Sequence, residues 1–514
     1  MKSKFENATQ VFGLIISIIA VLLFVQSIPA QETRGVIRGT VTDPNNAPVP
    51  GASVKIIDPA RGTTLDLKTN DDGFFQANYL FPGTYQIVVE TTGFKKTVRD
   101  NVTLEIGSAI QVDIPLEVGG TQETVTVTAD IPPLNTESAS LGQTIDAKRI
   151  AKLPLVHGDP YTLIGLSPGV AHTGSQRLDR PFEPTHIIGY AIDGTRGNRS
   201  DLTIDGAPST ATANANEVIA TYVPPTDIVQ EFKVQTATFD AQFGNTEGGV
   251  TSISIKSGTN SLHGSAYYFA EPGTWAANDF FGNARGQARP ESKSDRFGGY
   301  ISGPVRIPWL YNGKDKTFFL FGYEGIRDSR PRFDASNVFV PTAAMRNGNF
   351  SGLGVTIYDP LTAVPCTGTG AGGNGCAVGQ FLRTPFAGGI IPANRISPIA
   401  TAILNYYAQP KQPGLVGNIN DSTLAEVTKP YDNFTFRVDQ NITNNNHLFV
   451  RGSYYNRSSF YNDYLASDAS GVNFLFKARQ GVIDDVHTFN STTFLNVRYG
   501  LTVLFAVRSR KAAH

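Results

Sequence analysis

Side-chain character alternates with a period of two along most of this chain, and that period belongs to strands. In "GVIRGTVTD" Ile37, Gly39 and Val41 share one parity, while Val36, Arg38 and Thr40 share the other. "ASVKIID" repeats the pattern with Val54 and Ile56. Between residues 35 and 118 such segments are short, and turns separate them: "PNNAPVPG", "NDDG", a Pro-Gly pair and "TTGF". Short alternating strands at near-regular spacing predict a β-sandwich. Asn70 to Gly73 supplies a hairpin turn, because a calcium loop needs oxygen ligands that the neighbouring residues lack. Further on, "ETVTVTA" (123–129) alternates Thr with Val between Gly-Gly and Pro-Pro. It suits either the last strand of the sandwich or an exposed strand to which a partner adds its own.

The pattern changes from about 136 to 260, where short helical pieces mix with turns and strands. "DLTIDGAPST" is a strand ending in an Asp-Gly reversal, a capped short helix is expected near Asp227 to Phe232, and "VTSISIKSG" is a strand. After 261 the alternation lengthens. "DNFTFRVDQ" sets Phe434, Phe436 and Val438 against Thr435, Arg437 and Asp439. "LFVRGSYYN" sets Leu448, Val450, Gly452 and Tyr454 against Phe449, Arg451, Ser453 and Tyr455, and Phe319, Phe321 and Tyr323 share a side. A soluble sandwich has the same period. Apolar-out, polar-in strands with aromatic ends, Asn-rich turns and a long loop over about 327–430 favour a lipid-facing barrel.

Length and composition narrow this reading. A chain of 514 residues accommodates roughly three domains. Lys and Arg number 43 against 44 Asp and Glu, so no basic surplus points to nucleic acid. Residues 1–30 read as an export signal: Lys2 and Lys4, the run "VFGLIISIIAVLLFVQS", and a small-residue cleavage site after Ala30. No later stretch is apolar enough for a transmembrane helix, so any further membrane crossing must use strands. Export permits the two cysteines, Cys366 and Cys376, to form a disulfide across a short loop.

Candidate catalysis reduces to one motif. Gly165-Leu166-Ser167-Pro168-Gly169 fits the G-x-S-x-G elbow of hydrolases, in which the residue after serine donates its N–H to the oxyanion. Pro168 has none to give. None of the seven His precedes a Glu by three positions, as a zinc peptidase would require. The chain therefore reads as a non-enzyme, with no catalytic residue, cofactor or metal assigned.

The residues also carry resemblances. "GVIRGTVTD", "APVPGASVKI" and "TNDDGFFQANYLFPGTYQIVVETTGFKK" resemble a carboxypeptidase-regulatory-like domain, a transthyretin-like sandwich classed with carbohydrate-binding folds. "LIGLSPGV", "RIAKLPL", "LTIDGAP" and "IVQEFKVQTATFDAQFGNTEGGVTSISIKSGTNSLHGSAYYF" resemble the plug and plug-to-barrel junction of TonB-dependent outer-membrane receptors of the Oar-like type. That resemblance implies a mainly β fold: a sandwich at 31–118, a linker at 119–135, an α+β plug at 136–260, and the N-terminal part of an antiparallel transmembrane β-barrel at 261–514. It implies a TonB box at Glu123, Thr124, Val125, Thr126, Val127, Thr128 and Ala129. It further implies energy-coupled transport at the outer membrane, with sandwich and box facing the periplasm. The partners would be TonB with ExbB and ExbD, membrane lipid, and an unidentified solute such as a siderophore or glycan. A receptor barrel has about 22 strands, and the residues after 261 supply material for about half. A truncated copy is the resulting expectation. The alternative is an exported carbohydrate-binding or adhesive β-protein.

Overall fold

Alternation at the N-terminal end resolves into nine strands: β1 (Gly35–Thr42), β2 (Ser53–Asp58), β3 (Thr63–Lys68), β4 (Phe74–Leu80), β5 (Gly83–Glu90), β6 (Lys96–Leu104), β7 (Ala109–Gln111), β8 (Ile114–Pro115) and β9 (Thr124–Thr128). The computed structural model describes residues 33–510 apart from short internal stretches, the longest being 129–140, 174–188, 411–420 and 462–470. The export signal expected at 1–30 lies outside the described residues. One sheet of the sandwich runs β4-β1-β7 with β8 also on β1, and the other runs β3-β2-β5-β6-β9. Along β1 the odd-numbered residues are buried. Ile37 and Val41 meet Phe75, Ala77, Val54, Ile56, Ile87 and Val89 in one apolar core. At the reversal into β4, the Asn70 side-chain oxygen accepts the backbone N–H groups of Asp72 and Phe74. Gly73 closes that turn at φ +68°, and a Cβ there would meet the Val41 carbonyl oxygen at 2.6 Å.

A further sheet, the central one, lies in the middle of the chain. Its strands are β10 (Gly142–Asp146), β11 (Asp201–Ile204), β12 (Ala207–Pro208), β13 (Val229–Gln235) and β14 (Val250–Ile255), ordered β10-β13-β14-β11-β12. β11 is parallel to β14 and the other pairings are antiparallel. Asp146 caps a helix over Ala147–Lys152 by accepting the Arg149 N–H. The expected helix at 227–232 is corrected here: a single 3-10 turn covers Thr226–Ile228, and the chain then becomes β13. Its cap position, Pro225, has no side-chain bond to give. Phe232 pairs with Ile145 on one side and Ile253 on the other, and burial between two neighbours outweighs local helix propensity.

The largest sheet comprises β15 (His263–Pro272), β16 (Lys293–Pro304), β17 (Thr317–Arg332), β18 (Ala425–Thr443), β19 (Asn446–Tyr461), β20 (Val472–Thr488) and β21 (Phe494–Arg510), in sequence order and antiparallel throughout. The long loop is shorter than 327–430, because the ladder pairs Arg327 to Arg332 with Ala425 to Pro430 and leaves 333–424 as the excursion. At the opposite end the connections are short, with β18 and β19 joined through residues 444–445. β17 to β21, at 16–19 residues each, exceed the 9–11 residues that cross a bilayer, which lets them extend past it. Among the described residues no helix is long and apolar enough to cross a membrane.

Candidate functional site

The alternation in the large sheet sorts residues into two faces, and the inward one carries the polar groups. Asn433, Thr435, Arg437 and Asp439 of β18, with Arg451 and Ser453 of β19, are all buried. They are buried against the central sheet and the segment 209–223 beside it. Asn433 donates to the Val223 carbonyl at 2.7 Å, and the Thr435 hydroxyl bonds that of Tyr222. Gln480 of β20 donates to Ser209 at 2.8 Å and Thr221 at 3.0 Å. Apolar contacts continue between them: Leu320, Ile326, Tyr431, Tyr455 and Phe476 share one core with Ile145, Tyr161, Leu202, Phe232 and Ile253.

Asp205 is the centre of the charge pattern. It follows β11 in the Asp-Gly turn, with φ +49° at Asp205 and +72° at Gly206, the geometry that lets β12 return at once. Its carboxylate lies 3.3 Å from Arg437 and 2.8 Å from Arg451, and it accepts the Ile255 N–H at 3.0 Å. Arg437 also binds Asp439 at 2.8 Å. Both arginines are only 1% exposed, so their charge depends on these partners. Higher along the strands, Arg296 pairs with Glu324 at 2.6 Å, and Glu324 accepts the Tyr267 hydroxyl. A cavity of about 370 Å³ lies there, lined by Leu153, Leu155, Tyr267, Phe269 and Arg296. Burial pushes the Asp159 carboxyl up to about 7, although the Tyr161 N–H and Arg296 favour its charged form.

The sandwich is fastened to the same assembly. Arg34 pairs with Asp484 of β20 at 2.7 Å, and Arg498 of β21 binds the other Asp484 oxygen at 2.6 Å. Phe81, between β4 and β5, packs edge-on to Phe449, and the Arg437 guanidinium lies 5.0 Å from its ring. Glu231 accepts the Ile106 N–H at 2.6 Å, while Lys233 donates to the carbonyls of Ile106 and Gly107. Burial raises Glu231 to about 7, against the pull of the Ile106 N–H. Asn444, in the short β18–β19 turn, donates to Asp66 at 3.2 Å. The sandwich therefore touches the short-turn end of the large sheet.

Of the segment 123–129, Thr124–Thr128 form β9, paired in parallel with Lys96 to Asp100 of β6; Glu123 and Ala129 lie outside the described residues. Ser167 follows the 3-10 turn Pro160–Leu166, and its hydroxyl is buried with no hydrogen-bond partner among the described residues. The structure joins Cys366 and Cys376 in a disulfide within the long loop. Among the described residues no cluster of three or more His, Cys, Asp or Glu is placed to hold a metal ion.

The outward face is apolar. Phe321, Phe434, Phe436, Val438, Val450, Ile483, Tyr499 and Leu501 are all exposed on it. Aromatic rings form a continuous row across five strands: Tyr268, Phe297, Tyr323, Phe434 and Tyr454, with successive centroids 4.8–6.5 Å apart. Such a girdle marks the edge of a lipid-facing band. Sequence alternation had separated Arg437 and Arg451 from this face. It gave no sign that Asp205 would meet both, nor that Arg34 would find a partner 450 positions away.

The family described as an outer membrane beta barrel domain matches residues 254–513, and the carboxypeptidase regulatory-like domain family matches 36–117. The TonB-dependent transporter Oar of Myxococcus xanthus is 23% identical over 317 residues, covering 59% of this chain and 27% of the transporter. The chain thus spans about a quarter of that relative's length. Among solved structures, the outer membrane transporter YddB from Escherichia coli is similar at 13% identity and TM-score 0.42, covering 70% of this chain and 38% of its own. The siderophore receptor PirA from Pseudomonas aeruginosa is similar at 13% identity and TM-score 0.38, covering 71% and 41%. With just over half of its residues matched by the barrel family, this chain belongs to the outer membrane β-barrel family and carries a carboxypeptidase regulatory-like domain ahead of the barrel strands.

Proposed function

We propose that this chain serves TonB-dependent passage of a solute across the outer membrane, without covalent catalysis. In this reading residues 136–260 are the plug, 261–514 supply barrel strands, and 31–118 with the linker 119–135 face the periplasm. The long loop 333–424 then faces outward, where solute is met. The observation that carries the reading is how the central sheet is held. Asp205 sits between Arg437 and Arg451, and Asn433, Thr435 and Gln480 add hydrogen bonds. A plug must stay closed yet move under force, and polar contacts can be exchanged for water where a wholly apolar seam cannot.

Glu123, Thr124, Val125, Thr126, Val127, Thr128 and Ala129 are the segment that TonB, energised through ExbB and ExbD, would grip. Deleting 123–129 tests this in cells that depend on the protein for uptake of a labelled solute, found by screening ferric siderophores, cobalamin, oligosaccharides and peptides. Uptake should fall to background while surface binding of the solute persists. Undiminished uptake would show that the segment does not couple.

A further inference from the structure

The ladder of β16 and β17 does not end in a bare turn. Beyond its last pair, Pro304 with Phe318, the chain runs out as a hairpin over 305–316. The stem is tied down. Gly313 donates to the Val305 carbonyl at 2.8 Å, Thr317 donates its N–H to the Gly313 carbonyl at 2.7 Å, and the Tyr311 and Thr317 hydroxyls are bonded. Further out, Arg306 pairs with Asn312 and Ile307 with Tyr311, which leaves Pro308, Trp309 and Leu310 as the tip. The Leu310 N–H closes this turn on the Ile307 carbonyl at 3.0 Å, and Trp309 is held at φ +62°. A bulky residue rarely adopts that backbone conformation. Here it presents the indole in full exposure, with Leu310 80% exposed and Ile307 and Tyr311 exposed beside it.

Apolar and aromatic side chains displayed on a firm stem mark a surface that something covers. Two observations select the occupant. The tip continues the lipid-facing side of the large sheet. Ile301 and Phe321 are register partners exposed on that side. One step nearer the hairpin, a Cβ on Gly303 would meet the exposed Leu262 side chain at 3.1 Å. The apolar side of the sheet therefore reaches the foot of the hairpin. Charge is the second observation. Arg306, Lys314 and Lys316 are exposed around the tip. Asp315 is the one acid of the hairpin, and it is turned toward the sandwich. Its carboxylate accepts the Asn260 side-chain N–H at 2.6 Å, its own N–H donates back to Asn260 at 2.8 Å, and the Asn260 N–H donates to the Ala60 carbonyl at 2.9 Å. An apolar, aromatic tip with free cations behind it matches a phospholipid leaflet, where acyl chains lie beneath a layer of phosphates.

We propose that the hairpin 305–316 is a membrane anchor. Trp309 and Leu310 enter the boundary between headgroups and acyl chains of the phospholipid leaflet at the short-turn end, and Arg306 and Lys314 meet its phosphates. Through Asp315 and Asn260 the anchor also sets the sandwich beside that leaflet. The inference needs the outward face to lie in lipid and does not depend on whether a solute is carried. The chain has two tryptophans, so Trp275→Phe leaves Trp309 as the single reporter. Trp275 is exposed at the opposite end of the sheet. The full chain with this substitution is reconstituted in phosphatidylethanolamine–phosphatidylglycerol vesicles whose acyl chains carry bromine at a shallow or a deep position. Trp309 should be quenched about two-fold more by shallow than by deep bromine, and acrylamide should reach it about five-fold less than free tryptophan. Adding Arg306→Gln and Lys314→Gln should raise acrylamide quenching about two-fold; no change would overturn the role given to the two bases. Full acrylamide access without any bromine effect overturns the anchor, because the hairpin then stands in water. Blue-shifted emission without bromine quenching overturns it as well, since protein then covers the indole. A fluorophore on Leu501→Cys in a parallel sample reports the sheet itself. If bromine quenches that label and leaves Trp309 untouched, the anchor fails alone; if neither is quenched, the lipid-facing sheet fails with it. Should Trp275→Phe not fold, subtracting the emission of Trp309→Phe from that of the wild type gives the same reading.

Discussion

Asp205, Arg437 and Arg451 show how single residues define the seam between the central sheet and the large one. Two guanidinium groups this deeply buried are tolerable only because one carboxylate meets both and Asp439 meets the first. Replacing Asp205 with Ala leaves Arg451 without that counter-ion and should cost about 3–5 kcal/mol, read as a lower unfolding midpoint by circular dichroism in detergent. An unchanged midpoint would mean that water already occupies the seam. Glu231 gives a pH signature at the sandwich contact. Its carboxyl is raised to about 7 mainly by burial, with Glu105 and Asp146 adding to the rise and Lys233 opposing it. The folded state then holds a proton that the unfolded chain releases near 4.5. This contribution is present in full below that value and is lost as pH rises through about 7. Asp159 acts in the same direction over a similar window. Stability should therefore fall between pH 5 and 8, and Glu231→Gln should flatten the slope in part, leaving the share due to Asp159. A wild-type slope of opposite sign would contradict the assignment.

At the scale of elements, the period of two was legible wherever one face is dry and the other is apolar and exposed. Phe434, Phe436 and Val438 fell on one side and Thr435, Arg437 and Asp439 on the other, as the ladder places them. The Asp-Gly reversal at 205–206 was equally plain, because its backbone demands are local. The segment 227–232 misled for the opposite reason. Asp227 looks like a helix-starting residue, but the strand that follows is decided by β10 and β14, which lie far off in sequence. The end of the long loop was also illegible, since ladder pairing between 327–332 and 425–430 joins residues about a hundred positions apart. The two faces predict opposite tolerances. An arginine at Phe436, on the outward face, should cost about 2–4 kcal/mol of membrane-folded stability if that site lies at mid-bilayer. Phe436→Leu should cost far less. Equal losses, measured by equilibrium unfolding in lipid vesicles, would place that face away from hydrocarbon.

For the whole molecule, the sandwich, the central sheet and the large sheet are joined by contacts that no local pattern announces. Arg34 and Asp484 are 450 positions apart, yet their ion pair ties the first strand region of the sandwich to the penultimate strand of the large sheet. Asp484 also holds Arg498, so Asp484→Ala removes an acceptor shared by two buried arginines. Limited proteolysis should then release the sandwich as a stable piece sooner than in wild type, cutting within 119–141. An unaltered cleavage rate would mean that Glu231, Lys233 and Phe81 suffice to hold it. The outward aromatic row, the inward charges and the fastening of the sandwich at the short-turn end all serve one arrangement: a sheet with lipid on one side and the central sheet on the other.

The most direct test of that arrangement is depth-sensitive fluorescence along β21. Single labels are placed in turn at residues 499 to 504 of the chain reconstituted in vesicles containing brominated lipid. Tyr499, Leu501 and Val503 share the outward parity, while Gly500 approaches Ala207 and Thr502 donates to the Pro208 carbonyl on the inward one. Quenching should be strong at 499, 501 and 503 and weak at 500, 502 and 504. Uniform quenching across the six positions, or none at any, would contradict a strand that separates hydrocarbon from the central part of the chain.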